Sequence, residues 1–127
     1  MSEDRVNVRY LVDNVDEAVS WYINTLGFKL ISNQAPAFAD VERGSLRLLL
    51  SGPTSSAGRP MFDGERPKPG GWNRIHLIVG DIQAEVARLR AAGIMLRNEI
   101  VSGPGGSQVL LVDPSGNFVE LFQPRGR

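Results

Sequence analysis

Residues 5–12, RVNVRYLV, alternate: Val8, Tyr10 and Val12 fall on one face, and Asn7, Arg9 and Leu11 on the other. That period of two predicts a β-strand. The period then lengthens, because Val15, Ala18, Val19, Tyr22 and Leu26 recur at the spacing of one helical face. Asn14 precedes this stripe with Glu17 shortly after it, a capping-box pattern, and Gly27 follows as a stop. Further strands are predicted from Phe28, over 38–42, and over 46–50 after a Gly44-Ser45 turn.

The pattern breaks over 53–71, PTSSAGRPMFDGERPKPGG, where Pro, Gly and Ser dominate and no period survives. Met61 and Phe62 are its large apolar side chains, and they either pin this connection to the surface or line a pocket. The pattern then restarts. NRIHLIV, 73–79, alternates as a strand, and Asp81 can cap a helix whose stripe is Ile82, Val86, Leu89 and Gly93. Leu96, Val101, the 103–106 GPGG turn and 108–112 supply more strand material. Asp113-Pro114-Ser115-Gly116-Asn117 reads as a turn, and 118–123 as the last strand.

The order β-α-β-β-β therefore occurs twice. Asn14-Val15 matches Asp81-Ile82, Leu26-Gly27 matches Ala92-Gly93, and Gly44-Ser45-Leu46 matches Gly116-Asn117-Phe118. A tandem duplication of the α+β class is the expectation, with module 1 at 5–52, a linker at 53–71 and module 2 at 72–124 within one domain.

Composition narrows the function. The 127 residues suit one domain. Fourteen basic residues balance fourteen acidic ones, so no global field draws in nucleic acid or anionic membrane. The absence of cysteine excludes disulfide frameworks, zinc fingers, thiolate nucleophiles and iron–sulfur clusters. No apolar run approaches the ~18 residues that span a bilayer, and MSEDRVNVRY does not read as a signal peptide. A cytoplasmic protein is expected.

VRYLVDNVDEAVSWYINTLGF resembles the opening of vicinal oxygen chelate proteins, the superfamily of glyoxalases, bleomycin-resistance proteins and extradiol dioxygenases. WNRIHLIVGDIQAEVARLRAAGI with VLLVDPSGNFVELFQP resembles their second half, including the D-P-x-G-N-x-x-E-L ending. The resemblance implies paired modules whose sheets form a cup, usually in a homodimer. It also implies where a metal would sit. Metal-dependent members place a His early in each module's first strand, where Asn7 and Arg74 stand here. They add an acidic or amide ligand on each last strand, where the repeat alignment puts Leu48 and Glu120. Only Glu120 keeps a family ligand, and Arg74 brings a cation to the metal's place. The expectation is no metal and no cofactor.

If Asn7 and Arg74 point into the cup, alternation adds Arg9, Leu11, His76 and Ile78, and on the last strands Leu46, Leu48, Leu50, Phe118, Glu120 and Phe122. Arg74 and Glu120 then approach as an ion pair, either as cross-strand glue or as a clamp that a ligand anion enters with help from Arg9. His76, the single histidine, is a shifted metal ligand, a general acid/base or a pocket hydrogen-bonder. Leu48, Leu50, Trp72, Phe118 and Phe122 pack on an aromatic ligand or belong to ordinary core, and Trp21, off its helical stripe, is a candidate dimer contact. Arg88, Arg90 and Arg97 read as a solvated helix face with its extension, and GPGG lacks the lysine and helix of a phosphate loop.

The leading expectation is a metal-free protein binding a small organic ligand, aromatic or anionic, through Asn7, Arg9, Leu48, Leu50, Trp72, Arg74, Phe118 and Phe122. The alternative is a metal-free isomerase, lyase or hydrolase with Glu120 and His76 as catalytic groups. A metal-dependent glyoxalase or dioxygenase ranks last.

Overall fold

In the computed structural model, which describes residues 4–126, both helices begin where a side chain can serve their first free N–H groups. Asn14 Oδ1 accepts from Glu17 N at 2.9 Å, and α1 runs Val15–Leu26. Gly27 takes the left-handed conformation, φ 72°, and closes it. Asp81 Oδ1 accepts from Ala84 N at 3.0 Å, and α2 runs Ile82–Ala91. The buried residues of α1 are Val15, Ala18, Val19, Tyr22, Thr25 and Leu26, and those of α2 are Ile82, Val86 and Leu89.

The chain divides into two compact units, the first ending at Gly70 and the second beginning at Gly71. In the first unit, α1 lies on a sheet of β1 (Val6–Leu11), β2 (Lys29–Gln34), β3 (Phe38–Arg43) and β4 (Leu46–Ser51), ordered β1-β4-β3-β2. In the second, α2 accompanies β5 (Ile75–Ile78), β6 (Val101–Ser102), β7 (Gly106–Val112) and β8 (Phe118–Pro124), ordered β5-β8-β7-β6. Each unit has one parallel pair, β1 with β4 and β5 with β8, and its other pairs are antiparallel. The connection between β4 and β5 contains one short 3₁₀ turn, Ser56–Gly58. Met61 is half exposed and Phe62 fully exposed, so the expectation that they pin this connection does not hold.

Burial sorts the two faces of each sheet. In the first unit Tyr10, Val12, Ala39, Val41, Leu48 and Leu50 are buried, and the Tyr10 and Tyr22 rings meet edge-on at 6.5 Å, which marks the side that α1 covers. In the second, Ile75, Leu77, Val79, Val109, Leu111, Val119 and Leu121 are buried, as are the apolar residues of α2. The opposite face there carries His76, Ile78, Phe118, Glu120 and Phe122, because His76 pairs with Glu120 and Ile78 with Phe122 in the β5–β8 register.

Leu48 and Leu50 are therefore misplaced by the repeat alignment. Leu48 pairs with Val8 and Val41, and Leu50 with Tyr10 and Ala39, so both lie on the helix side, away from Arg9. Arg9 pairs with Leu49, as His76 pairs with Glu120, and Leu49 is the counterpart of Glu120. The turns explain the slip. Gly44-Ser45 joins Arg43 directly to its partner Leu46, whereas Asp113 to Asn117 separates the paired Val112 and Phe118. The longer turn is built around Asp113, whose Oδ1 accepts from Ser115 N at 2.9 Å and Asn117 N at 2.8 Å. Matching turn to turn thus moved the strand by one residue, which exchanges its faces.

On the second sheet, Gly106 has a steric reason. A Cβ on Gly106 would overlap the Gln123 carbonyl oxygen and come within 2.7 Å of Phe122 Cζ, so the Phe122 ring occupies space that only glycine leaves open.

The face placement is testable. Leu48→Ala should cost about 2–5 kcal/mol in urea unfolding, as for a fully buried leucine, whereas Leu49→Ala should cost distinctly less. Equal losses would contradict the register.

Candidate functional site

On the open face of the second sheet, β8, β5 and the segment just before β5 bring together a carboxylate, an imidazole and a guanidinium. Glu120 is only 6% exposed. Its Oε1 accepts from Arg74 Nε at 3.0 Å and lies 2.9 Å from Arg74 Nη2. Arg74 sits just before β5, and its Nη1 donates to the Trp72 carbonyl oxygen at 3.1 Å, which aims the guanidinium along the sheet. The other carboxylate oxygen, Oε2, lies 3.4 Å from His76 Nε2. That is longer than an ordinary N–H···O hydrogen bond.

Aromatic rings surround this group. The Trp72 and Phe118 rings lie 4.9 Å apart and tilted, and those of His76 and Phe122 lie 4.8 Å apart. Arg97 places its guanidinium carbon 5.9 Å from the Trp72 ring centre, a cation–π arrangement. Trp72 is 63% exposed and Ile78 is 56% exposed. The face thus offers apolar surface to solvent around a buried, paired charge.

Arg97 was grouped with Arg88 and Arg90 in the sequence, and the structure separates them. Arg88 and Arg90 pair with Glu85 and Glu99 at 2.8 Å each on the exposed side. Arg97 reaches Trp72 because the segment after α2 runs beside β7: Arg97 N donates to Leu110 O, and Leu110 N to Asn98 Oδ1. No local pattern announced that contact. Trp72 lies ahead of β5, which begins at Ile75. Trp21 is half-buried, its ring 4.8 Å from that of Tyr22.

The first unit presents a second polar group that sequence reasoning missed. Asp40, 1% exposed, lies on the Arg9 side of its sheet through its pairing with Leu49. It accepts from Ser32 Oγ at 2.5 Å and from Arg47 Nε at 2.8 Å, and Arg47 Nη2 approaches to 2.6 Å. Burial pushes the Asp40 carboxyl up, but the Ser32 hydroxyl and the Arg47 guanidinium outweigh it and hold the group below the usual carboxylate range. The signal was available, since a lone Asp between Ala39 and Val41 in an alternating strand must face away from the core. Arg9 is exposed and donates through Nη1 to Ser51 Oγ at 2.9 Å, and Asn7 is exposed. Asn7 and Arg9 belong to the first unit, and Trp72, Arg74, His76, Phe118, Glu120 and Phe122 to the second.

The sequence profile of the Glyoxalase/Bleomycin resistance protein/Dioxygenase superfamily matches residues 5–121. The chain belongs to this superfamily. No curated protein matches it in sequence. Among solved structures it is similar to a lactoylglutathione lyase from Agrobacterium tumefaciens, with 20% identity, 97% of this chain and 95% of that one covered, and a TM-score of 0.76. It is also similar to TnmS3, an antibiotic binding protein from Streptomyces sp. CB03234, with 24% identity, 98% of each chain covered and a TM-score of 0.73. A superfamily member from Sphaerobacter thermophilus DSM 20745 has 25% identity, 97% and 98% coverage and a TM-score of 0.76.

The superfamily's metal chemistry can be checked against the donors of this member. Among the described residues no three His, Asp or Glu side chains gather where they could hold an ion. The counterpart of Glu120 is Leu49, and a guanidinium already occupies Glu120 Oε1. That donor set does not fit a divalent metal.

Two outcomes test the charge pairs. Arg74→Leu should destabilise the protein by about 3 kcal/mol, since it leaves Glu120 buried and unpaired, and adding Glu120→Leu should recover most of that loss. A single variant as stable as the parent would contradict the pairing. Because the folded-state pKa of Asp40 is depressed, its stabilisation is present above the unfolded value near 3.8 and is lost as pH falls through the lower folded value. The stability gap between the parent and Asp40→Asn should therefore be largest near neutral pH and close in acid; a gap constant with pH would refute it.

Proposed function

We propose that this protein binds a small, largely apolar, aromatic-containing organic molecule on the open face of its second sheet, without a metal ion, and releases it unchanged. The observation that carries this reading is the set of solvent-facing rings, Trp72, Phe118, His76 and Phe122, around a buried carboxylate already neutralised by Arg74. Hydrophobic and aromatic side chains with a few fixed polar groups are the lining that small-molecule sites use. The antibiotic binding protein among the structural relatives supports sequestration as the role. A cytoplasmic homodimer is the setting we infer for it.

Magnitudes argue against an anion at Arg74. Were Arg74 to turn from Glu120 to a ligand anion, it would leave that carboxylate buried and uncompensated, which costs about 3–5 kcal/mol. A charge-assisted hydrogen bond to the incoming anion returns roughly 1.5–3 kcal/mol. A neutral ligand leaves the pair intact.

The 3.4 Å approach of His76 Nε2 to Glu120 Oε2 favours one second reading, metal-free acid/base catalysis by these two residues on a bound molecule. The lactoylglutathione lyase relative lends that class some support. The two readings separate on product: sequestration returns the ligand intact, while catalysis yields a new compound whose formation Glu120→Gln abolishes.

The test begins with calorimetry of chelated protein against Zn²⁺, Ni²⁺, Mn²⁺ and Fe²⁺, where no tight one-to-one uptake is expected. Uptake that Glu120→Ala removes would overturn the metal-free reading. A neutral aromatic probe, 2-methoxynaphthalene, should then shift the imidazole proton resonances of His76, the single histidine in the sequence, and Trp72→Ala should weaken its binding by about tenfold, the equivalent of one lost ring contact. An unmoved histidine signal would overturn the site.

A further inference from the structure

Resting on that reading of the face, we infer that the preferred ligand is a hydroxylated aromatic, a neutral phenol or a close analogue, whose hydroxyl is read by Glu120 and His76 together. The argument is one of unused hydrogen-bonding capacity. Oε1 of Glu120 is taken by two nitrogens of Arg74. Among the described residues Oε2 has only His76 Nε2 near it, at 3.4 Å, beyond the usual hydrogen-bond distance. A carboxylate has about four lone-pair sites and a hydroxyl is both donor and acceptor. Oε2 can therefore accept from a ligand O–H while His76, with its proton on Nε2, donates to the same oxygen. Neither an ether nor a carboxylate meets both demands: the ether has no proton for Oε2, and the carboxylate brings a second negative charge beside it.

The surroundings specify the rest of the molecule. The His76 ring lies against Phe122 and the Trp72 ring against Phe118, so apolar ring surface flanks the polar pair. A flat aromatic body bearing the hydroxyl at its edge can pack on those rings while its oxygen reaches Glu120. Arg74 contributes as a positioning residue. By holding Oε1 it keeps the carboxylate oriented with Oε2 toward His76, and it need not touch the ligand.

The experiment compares three naphthalenes of the same size on the intact protein: 2-naphthol, 2-methoxynaphthalene and 2-naphthoate. Affinities come from calorimetry and location from the His76 imidazole resonances. The expected result is naphthol binding about tenfold or more tightly than the ether, the worth of one hydrogen bond to a charged group, with naphthoate weakest. His76→Phe retains an aromatic ring at that position and removes a donor that either ligand oxygen can use, so naphthol and ether should both weaken while their ratio, set by Glu120 Oε2, persists; unchanged affinity for both would overturn the role of His76. Equal affinity of naphthol and ether in the parent protein overturns the hydroxyl inference while leaving the aromatic site standing. Tightest binding by naphthoate overturns it too, and makes Arg74 an anion clamp. Failure of all three to bind removes the ligand face itself and the inference with it.

Discussion

Glu120 shares its sheet face with Phe118, Phe122, Ile78, Leu110 and the ring of His76, and an ionised carboxylate is tolerable there only while a cation remains on it. Arg74 supplies that cation from the residue just before β5, on the strand parallel to β8. The order of the strands follows from the same need. Because β5 and β8 are adjacent and parallel, the residue beside Glu120 is His76, and Arg74 lies one same-face step before it. Aromatic packing, the orientation of Oε2 and the neutrality of the face all depend on that pair staying closed.

The first unit solves the same kind of problem with different residues. Its buried carboxylate, Asp40, sits on β3 rather than on the last strand, and its guanidinium comes from Arg47 on β4. Ser32 from β2 completes the set. Where the second unit sets aromatic rings beside its pair, the first sets the Ser32 hydroxyl on its carboxylate. Two copies of one topology have thus kept the backbone plan and exchanged the chemistry on the open face, as expected when fold is set by the helix-covered side and function by the other.

Much of this was legible in the sequence because it rests on local rules. Asn14 and Asp81 cap helices, Gly27 stops one, and the stripes of Ala18, Tyr22, Val86 and Leu89 are the buried ones. The approach of Arg74 to Glu120 followed from alternation once the family resemblance had placed both residues in one cup. What failed was non-local. The faces of Leu48 and Leu50 depended on how many residues a distant turn contains, and the Asp113 turn is longer than the Gly44-Ser45 one. Arg97 reached Trp72 through the path of an irregular segment beside β7, which carries no period to read.

Gly106 gives the open face a boundary of another kind. Its missing side chain is the room in which the Phe122 ring stands, so the wall beside His76 is shaped partly by an atom that is not there. Diversification of this protein toward other molecules has unequal freedom as a result. Trp72 and Ile78, which meet solvent, can be exchanged with little disturbance to what lies beneath them. Position 106 cannot acquire even a methyl group without pushing on the β8 backbone and on that ring at once, so selection for a new specificity would reach the rim long before it could remodel this wall.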